Sequence, residues 1–169
     1  MSDRYPDNHA LETFSYHGLE CAIIRHSSLG HLCGYVRFPK RRLRETGYDG
    51  IVTYVPVHGG ITFASEGEDG SMVYGFDCAH LGDAPPPEFD YHGYRSPTDH
   101  VWQPDEVRRE IKRMVDALIA APKYEARYLR CMTNKGKAKA IDDWLESIGE
   151  KVNAGDNFGL SINILGGEL

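Results

Sequence analysis

The sequence predicts an α+β domain: a mostly antiparallel β-sheet with one main amphipathic helix and a second, shorter helix. Three observations carry this. β-branched and aromatic segments follow one another through the first 80 residues with only turns between them. The first helical periodicity begins after residue 103. The chain lacks the strand–helix–strand alternation that builds a parallel sheet. Its 169 residues suit a single domain with a real core.

Taken in order, residues 1–18 are polar and read as a flexible arm. Residues 20–25 (Glu20, Cys21, Ala22, Ile23, Ile24, Arg25) form a first strand, followed by turn residues through His31. Residues 32–38 form a second strand that stops at Pro39. After a connection over 40–50, the run Ile51, Val52, Thr53, Tyr54, Val55 predicts a third strand reaching His58. Residues 61–64 continue extended, 66–70 turn, and 72–78 form the next strand. Residues 81–100, with Pro85, Pro86 and Pro87, read as a long surface loop.

Pro104 then suits a first helical position, with Asp105 and Glu106 in the first turn. Val107, Ile111, Met114, Leu118 and Ile119 share a face, and Pro122 marks the expected stop. Ala138, Ile141, Trp144, Leu145 and Ile148 make the stripe of a second helix over 137–148. The alternation of Phe158, Leu160, Ile162 and Ile164 with small or polar residues predicts a last strand.

Charge narrows the function classes. Residues 1–100 carry 8 Lys/Arg against 14 Asp/Glu, and the remainder 11 of each. So acidic a first part disfavours long nucleic acid, whose phosphates want a basic face. No apolar run reaches the roughly 18 residues of a membrane span, and the first residues lack the apolar core of a secretory signal. The expected location is therefore cytoplasmic. Cys21, Cys33, Cys78 and Cys131 form no CxxC pair and read as reduced thiols.

All eight histidines lie within the first 100 residues, so any histidine chemistry is built there. Two segments stand out. Val57-His58-Gly59-Gly60-Ile61-Thr62-Phe63 places paired glycines inside a strand pattern, where they cost entropy and pack nothing. Gly75-Phe76-Asp77-Cys78-Ala79-His80-Leu81-Gly82-Asp83 runs an apolar strand into Asp, Cys, His and Asp. His58, Asp77, His80 and Asp83 are therefore expected to converge at one sheet edge. His58 would be base or ligand, Asp77 the orienting carboxylate and His80 a second acid–base group. Two histidines and a carboxylate can equally hold a metal. The structural alternative makes Asp77 a turn cap, His80 a backbone-bonded side chain and Gly59-Gly60 a bulge. Strand alternation assigns Asp77 to the site and Cys78 to the core. Lys40-Arg41-Arg42-Leu43-Arg44 is the one concentrated basic run, and Arg41, Arg42 and Arg44 are candidate phosphate-holding residues.

Gly34-Tyr35-Val36, the 57–63 segment and the 75–83 segment, followed by an amphipathic helix, resemble a family of small proteins of tailed phages and prophages. The resemblance spans roughly residues 32–120. It implies a phage-encoded protein working inside the host cell and supplies no mechanism. Joined to the site residues, it leads to the expectation of a protein that binds a small anionic nucleotide-like molecule and counters a host defence either by sequestering that molecule or by hydrolysing it. Gly59, Gly60 and Asp83 would line the ligand. The alternative from another class is an interaction protein that inhibits a host protein through the acidic 81–100 loop, with no small ligand.

Overall fold

The computed structural model describes residues 10–40, 42–43, 50–89, 96–131 and 133–149. Among them are five strands: β1 (Ala10–Tyr16), β2 (Leu19–Arg25), β3 (Leu32–Phe38), β4 (Phe63–Glu66) and β5 (Met72–Asp77). Two α-helices follow, α1 (Pro104–Arg130) and α2 (Asn134–Ser147). The strands make one sheet in the order β1-β2-β3-β5-β4, every neighbouring pair antiparallel. The protein is thus an α+β fold, as the sequence predicts. The expected last strand at 158–164 lies outside the described residues.

The sheet begins earlier than expected. Residues 10–16 are not an arm but the edge strand β1, paired with β2 from Ala10↔Ile24 to Tyr16↔Leu19. The hairpin turn is His17-Gly18, both at positive φ (50° and 73°). Two-residue hairpin turns whose twist matches the strands need that conformation. β1 shows solvent most of its side chains because it is an edge: Phe14 and Tyr16 pack on the core, while Leu11, Thr13 and Ser15 are exposed.

β2 and β3 lie deeper and are apolar on both faces. Cys21, Ile23, Val36 and Phe38 join the main core under the helices, while Ala22, Ile24, Cys33, Tyr35 and Val73 form a smaller cluster on the opposite face. This explains why Cys21-Ala22-Ile23-Ile24 reads as a continuous apolar run instead of alternating.

The expected third strand is a correction. Ile51–Tyr54 is a turn of 3-10 helix, and the chain from Val55 to Val57 runs on without pairing. Ile51, Val52, Val55 and Val57 are all buried beside α1. An apolar run buried all round has no period that separates strand from helical turn.

α1 crosses the main face. Val107, Ile111, Met114, Val115, Leu118 and Ala121 are fully buried along it, and burying each larger aliphatic side chain is worth about 1.5–3 kcal/mol. Its start is fixed by the Gln103 N–H, which donates to Glu106 Oε2 at 2.8 Å. This is the backbone half of a capping box. The helix does not stop at Pro122 but continues to Arg130. Proline cannot donate to the Leu118 carbonyl, an interruption costing about 3 kcal/mol. Tertiary packing outweighs it, because α2 docks at this point. Trp144 is fully buried there, and its Nε1–H donates to the Ala117 carbonyl at 3.1 Å. α2 itself is capped by Thr133 Oγ1, which accepts from Gly136 N–H at 3.2 Å.

Candidate functional site

Three stretches of chain converge beside the N-terminal half of α1. The first is a turn over residues 57–60, closed by the Gly60 N–H to the Val57 carbonyl at 2.9 Å. Gly59, its third residue, has φ +66°. A type II turn needs positive φ there, which is why the position takes glycine. The turn projects His58, whose own N–H donates to Glu110 Oε2 on α1 at 2.9 Å.

The second stretch leaves β5 and turns through residues 80–83. The third runs back past it from His100 to the start of α1. His100 N–H donates to the Gly82 carbonyl at 2.7 Å, and Ala84 N–H donates to the His100 carbonyl at 2.8 Å. This parallel bridge delivers Trp102 to the site.

Asp83 is the hub, its side chain 5% exposed. Its Oδ2 accepts from His58 Nε2–H at 2.7 Å and from the His80 N–H at 2.8 Å. Its Oδ1 accepts from Trp102 Nε1–H at 2.8 Å. Burial by itself would raise this carboxyl's pKa. The donors from His58, His80 and Trp102 outweigh that and hold it below the ordinary carboxylate range. The His58 and His80 rings meet edge to face at 5.1 Å, Trp102 lies 4.4 Å from the His58 ring, and His100 lies 5.3 Å from Trp102. Four aromatic rings thus form a row beside one ionised carboxylate.

His80 owes its place to Gly59. A Cβ at Gly59 would lie 1.9 Å from His80 Cε1. His80 Nδ1 is buried and makes no hydrogen bond; it stands 3.6 Å from Asp83 Oδ2 and 4.0 Å from Asp77 Oδ1.

The expected site residues divide accordingly. His58, His80 and Asp83 come together, and Gly59 and Gly60 form the turn beside them. Asp77 lies at the rim with its carboxylate engaged elsewhere: Thr62 Oγ1–H donates to its Oδ2 at 2.8 Å and Ala79 N–H to its Oδ1 at 3.2 Å. The carboxylate bonded to the His58 ring is therefore Asp83 and not Asp77. Cys78 points into the core, and burial, reinforced by the Asp83 charge, pushes its thiol pKa far up.

Arg42 is elsewhere. Its guanidinium packs over the Phe38 ring at 5.5 Å and donates to the Ile119 carbonyl at 3.3 Å. Ile119 is nine residues beyond Glu110, about 13 Å along the helix at 1.5 Å per residue. The basic run thus does not clamp a ligand at His58 through Arg42. Arg41 and Arg44 lie outside the described residues.

Sequence reasoning missed Trp102 and Glu110. Trp102 stands just before the helix start at Pro104, where an indole with no stripe to join is a usable signal. Glu110 reads as one more charge on the solvent side of α1, and only the fold brings it beneath His58.

The arrangement is that of a polarised histidine: a buried carboxylate holds one ring nitrogen and leaves the other to take a proton. The surroundings are acidic, with Asp77, Asp83 and Glu110 close together and only Arg113, 3.7 Å from Glu110, as a cationic neighbour among the contacts described. No helix among the described residues is long and apolar enough to cross a membrane. Comparison with protein-family models, with curated proteins and with solved structures found no match, so the site rests on this chain's own residues.

Proposed function

We propose that this chain is a phage-encoded protein that binds and hydrolyses a small anionic, nucleotide-like molecule at the His58–Asp83–His80 cluster. The single observation that carries the reading is the buried Asp83 carboxylate, bonded at once to His58, to the His80 backbone and to Trp102. Three donors converging on one acidic group, beside a His80 ring nitrogen left without a bond, are more than packing requires.

In this reading His58 accepts the proton of an attacking water. Asp83 fixes its tautomer and offsets the imidazolium charge that forms. His80 is placed to return a proton to the leaving group. The aromatic row of His100, Trp102 and His58 offers rings against which a planar base can stack. The phage context comes from the sequence resemblance, and it makes a host nucleotide signal the natural substrate.

The test has two arms. Native mass spectrometry of the protein purified from a bacterial host looks for a co-purifying small molecule. Incubation with linear and cyclic nucleotides then looks for product. The reading expects a bound or consumed nucleotide with the wild type and, with His58→Ala, a rate about 100-fold lower. Unchanged turnover in folded His58→Ala would refute it.

A further inference from the structure

We infer that His58, His80 and Asp83 bind one first-row transition-metal dication, with zinc the best-fitting ion, and that this ion supplies the positive charge an anionic ligand needs here. The inference rests on the reading of this cluster as the working site, and it resolves a conflict within that reading. The cluster is acidic and Arg42 is far away, so an anion arriving at the bare side chains meets Asp77, Asp83 and Glu110. A bound dication reverses that local charge.

The donor atoms are in place. One nitrogen from each of His58 and His80 and a carboxylate oxygen of Asp83 lie within 4.8 Å of one another. Two imidazoles and a carboxylate, with the Cys78 thiol turned into the core, form a nitrogen–oxygen set. With three protein ligands, zinc keeps a fourth position for water or substrate.

Distances support the fit. Bonds of about 2.0–2.1 Å place tetrahedral ligand atoms roughly 3.4 Å apart. His80 Nδ1 and Asp83 Oδ2 stand 3.6 Å apart, close to that spacing, and are not hydrogen-bonded. His58 Nε2 and Asp83 Oδ2, at 2.7 Å, must open by about 0.7 Å to reach it. The His58 ring proton moves from Nε2 to Nδ1 as Nε2 exchanges its hydrogen bond for the ion; His58 and His80 then serve as ligands, and the proton given to the His58 ring in the metal-free reading is released to solvent from water held at the fourth position.

Independent features support the same cluster. His80 Nδ1 is a buried polar atom with no hydrogen-bond partner, an expensive arrangement that a cation satisfies. Gly59 leaves open the space that the His80 ring occupies. Trp102 on Asp83 Oδ1 leaves Oδ2 toward the histidines, and Glu110 anchors the His58 backbone. Such outer partners orient ligands at metal centres.

The test is calorimetric titration of the chelator-stripped full chain with Zn2+, alongside His80→Ala, His80→Asn and Lys139→Ala. One ion per chain is expected for the wild type and Lys139→Ala, with at least about 100-fold weaker binding in either His80 variant. Co2+ loading should give the intense visible bands of a four-coordinate ion. Added Zn2+ should raise the wild-type melting temperature, a readout that needs no variant to fold. Absence of saturable binding, or equal binding by folded His80 variants, overturns the inference. Nucleotide turnover that persists in chelator also overturns it while leaving the hydrolytic reading intact. Zinc bound with His80 dependence but no turnover upholds it and removes the hydrolytic reading.

Discussion

A Cβ on Gly59 would stand 1.9 Å from Cε1 of His80, so the ring of one residue occupies the space the other leaves empty. The two lie on different turns, and this contact sets the site's shape. Gly60, the next residue, has φ +81° and nothing within 4 Å of a built Cβ. Gly60→Ala therefore meets backbone strain alone, about 1–2 kcal/mol. Gly59→Ala meets similar strain at φ +66° and must also displace an imidazole. It should melt lower than Gly60→Ala by the equivalent of at least about 1 kcal/mol and alone should impair the site. Equal melting and equal function in the two variants would show that the contact is unimportant.

Pro122 interrupts the hydrogen-bond ladder of α1 without ending the helix. Pro122→Ala restores a donor toward the Leu118 carbonyl. Alanine is favoured over proline inside a helix by about 3 kcal/mol, offset by about 1 kcal/mol through the freer unfolded chain. The expected net gain is about 1–3 kcal/mol, read by urea denaturation. A loss of stability would mean that the packing of α2 depends on the interruption.

The start of α1 carries a pH dependence. Burial alone would raise the Glu106 carboxyl, but the Gln103 N–H and His100, with the charges of His100 and Arg109, outweigh that and hold it below its usual range. A carboxyl with a lowered folded pKa contributes stability above its unfolded value, about 4.3, and that contribution is lost as pH falls through the folded value. Glu106→Gln should therefore be less stable than wild type at pH 7, with the gap closing below pH of about 4. Paired urea curves across that range measure it; a gap that does not change with pH would contradict this assignment.

His58→Ala removes one of the three donors on a carboxylate that is 5% exposed. Losing a hydrogen bond to a buried charge costs about 1.5–3 kcal/mol. His58→Gln, whose amide can still donate, should recover part of the stability but not the function. Recovery of both would make His58 a structural donor.

The antiparallel sheet was legible because β2, β3 and β5 carry apolar runs bounded by turn residues. β1 was not, because an edge strand shows solvent most of its side chains, although Phe14, Tyr16 and the His17-Gly18 turn held the signal. Ile51–Tyr54 was misread because Ile51, Val52, Val55 and Val57 are all buried, and an apolar run of that kind shows no period. Pro122 was misread because local propensity says nothing of a helix packing across it. Within the site, His58, His80 and Asp83 were legible as residue types that a plain sheet would not choose. Their grouping depended on the parallel bridge of Asp83 with His100 and on α1, contacts far apart in sequence. The same distance hid Trp102, and Asp77 and Asp83, each three residues from His80, are not told apart by spacing. Arg42 lies away from the cluster for a related reason: a cluster of charges in sequence carries no information about which end of α1 it faces.

The most direct measurement of the central claim is nucleotide binding and turnover by Asp83→Asn and Arg42→Ala side by side with wild type, each checked for folding. Asp83→Asn is close to isosteric but removes the charge that polarises His58, so the account predicts a loss of about 100-fold or more. It predicts Arg42→Ala within twofold of wild type, because that guanidinium serves Phe38 and Ile119 about 13 Å along the helix. Full activity in Asp83→Asn, loss confined to Arg42→Ala, or a wild type that neither binds nor consumes any nucleotide would contradict it.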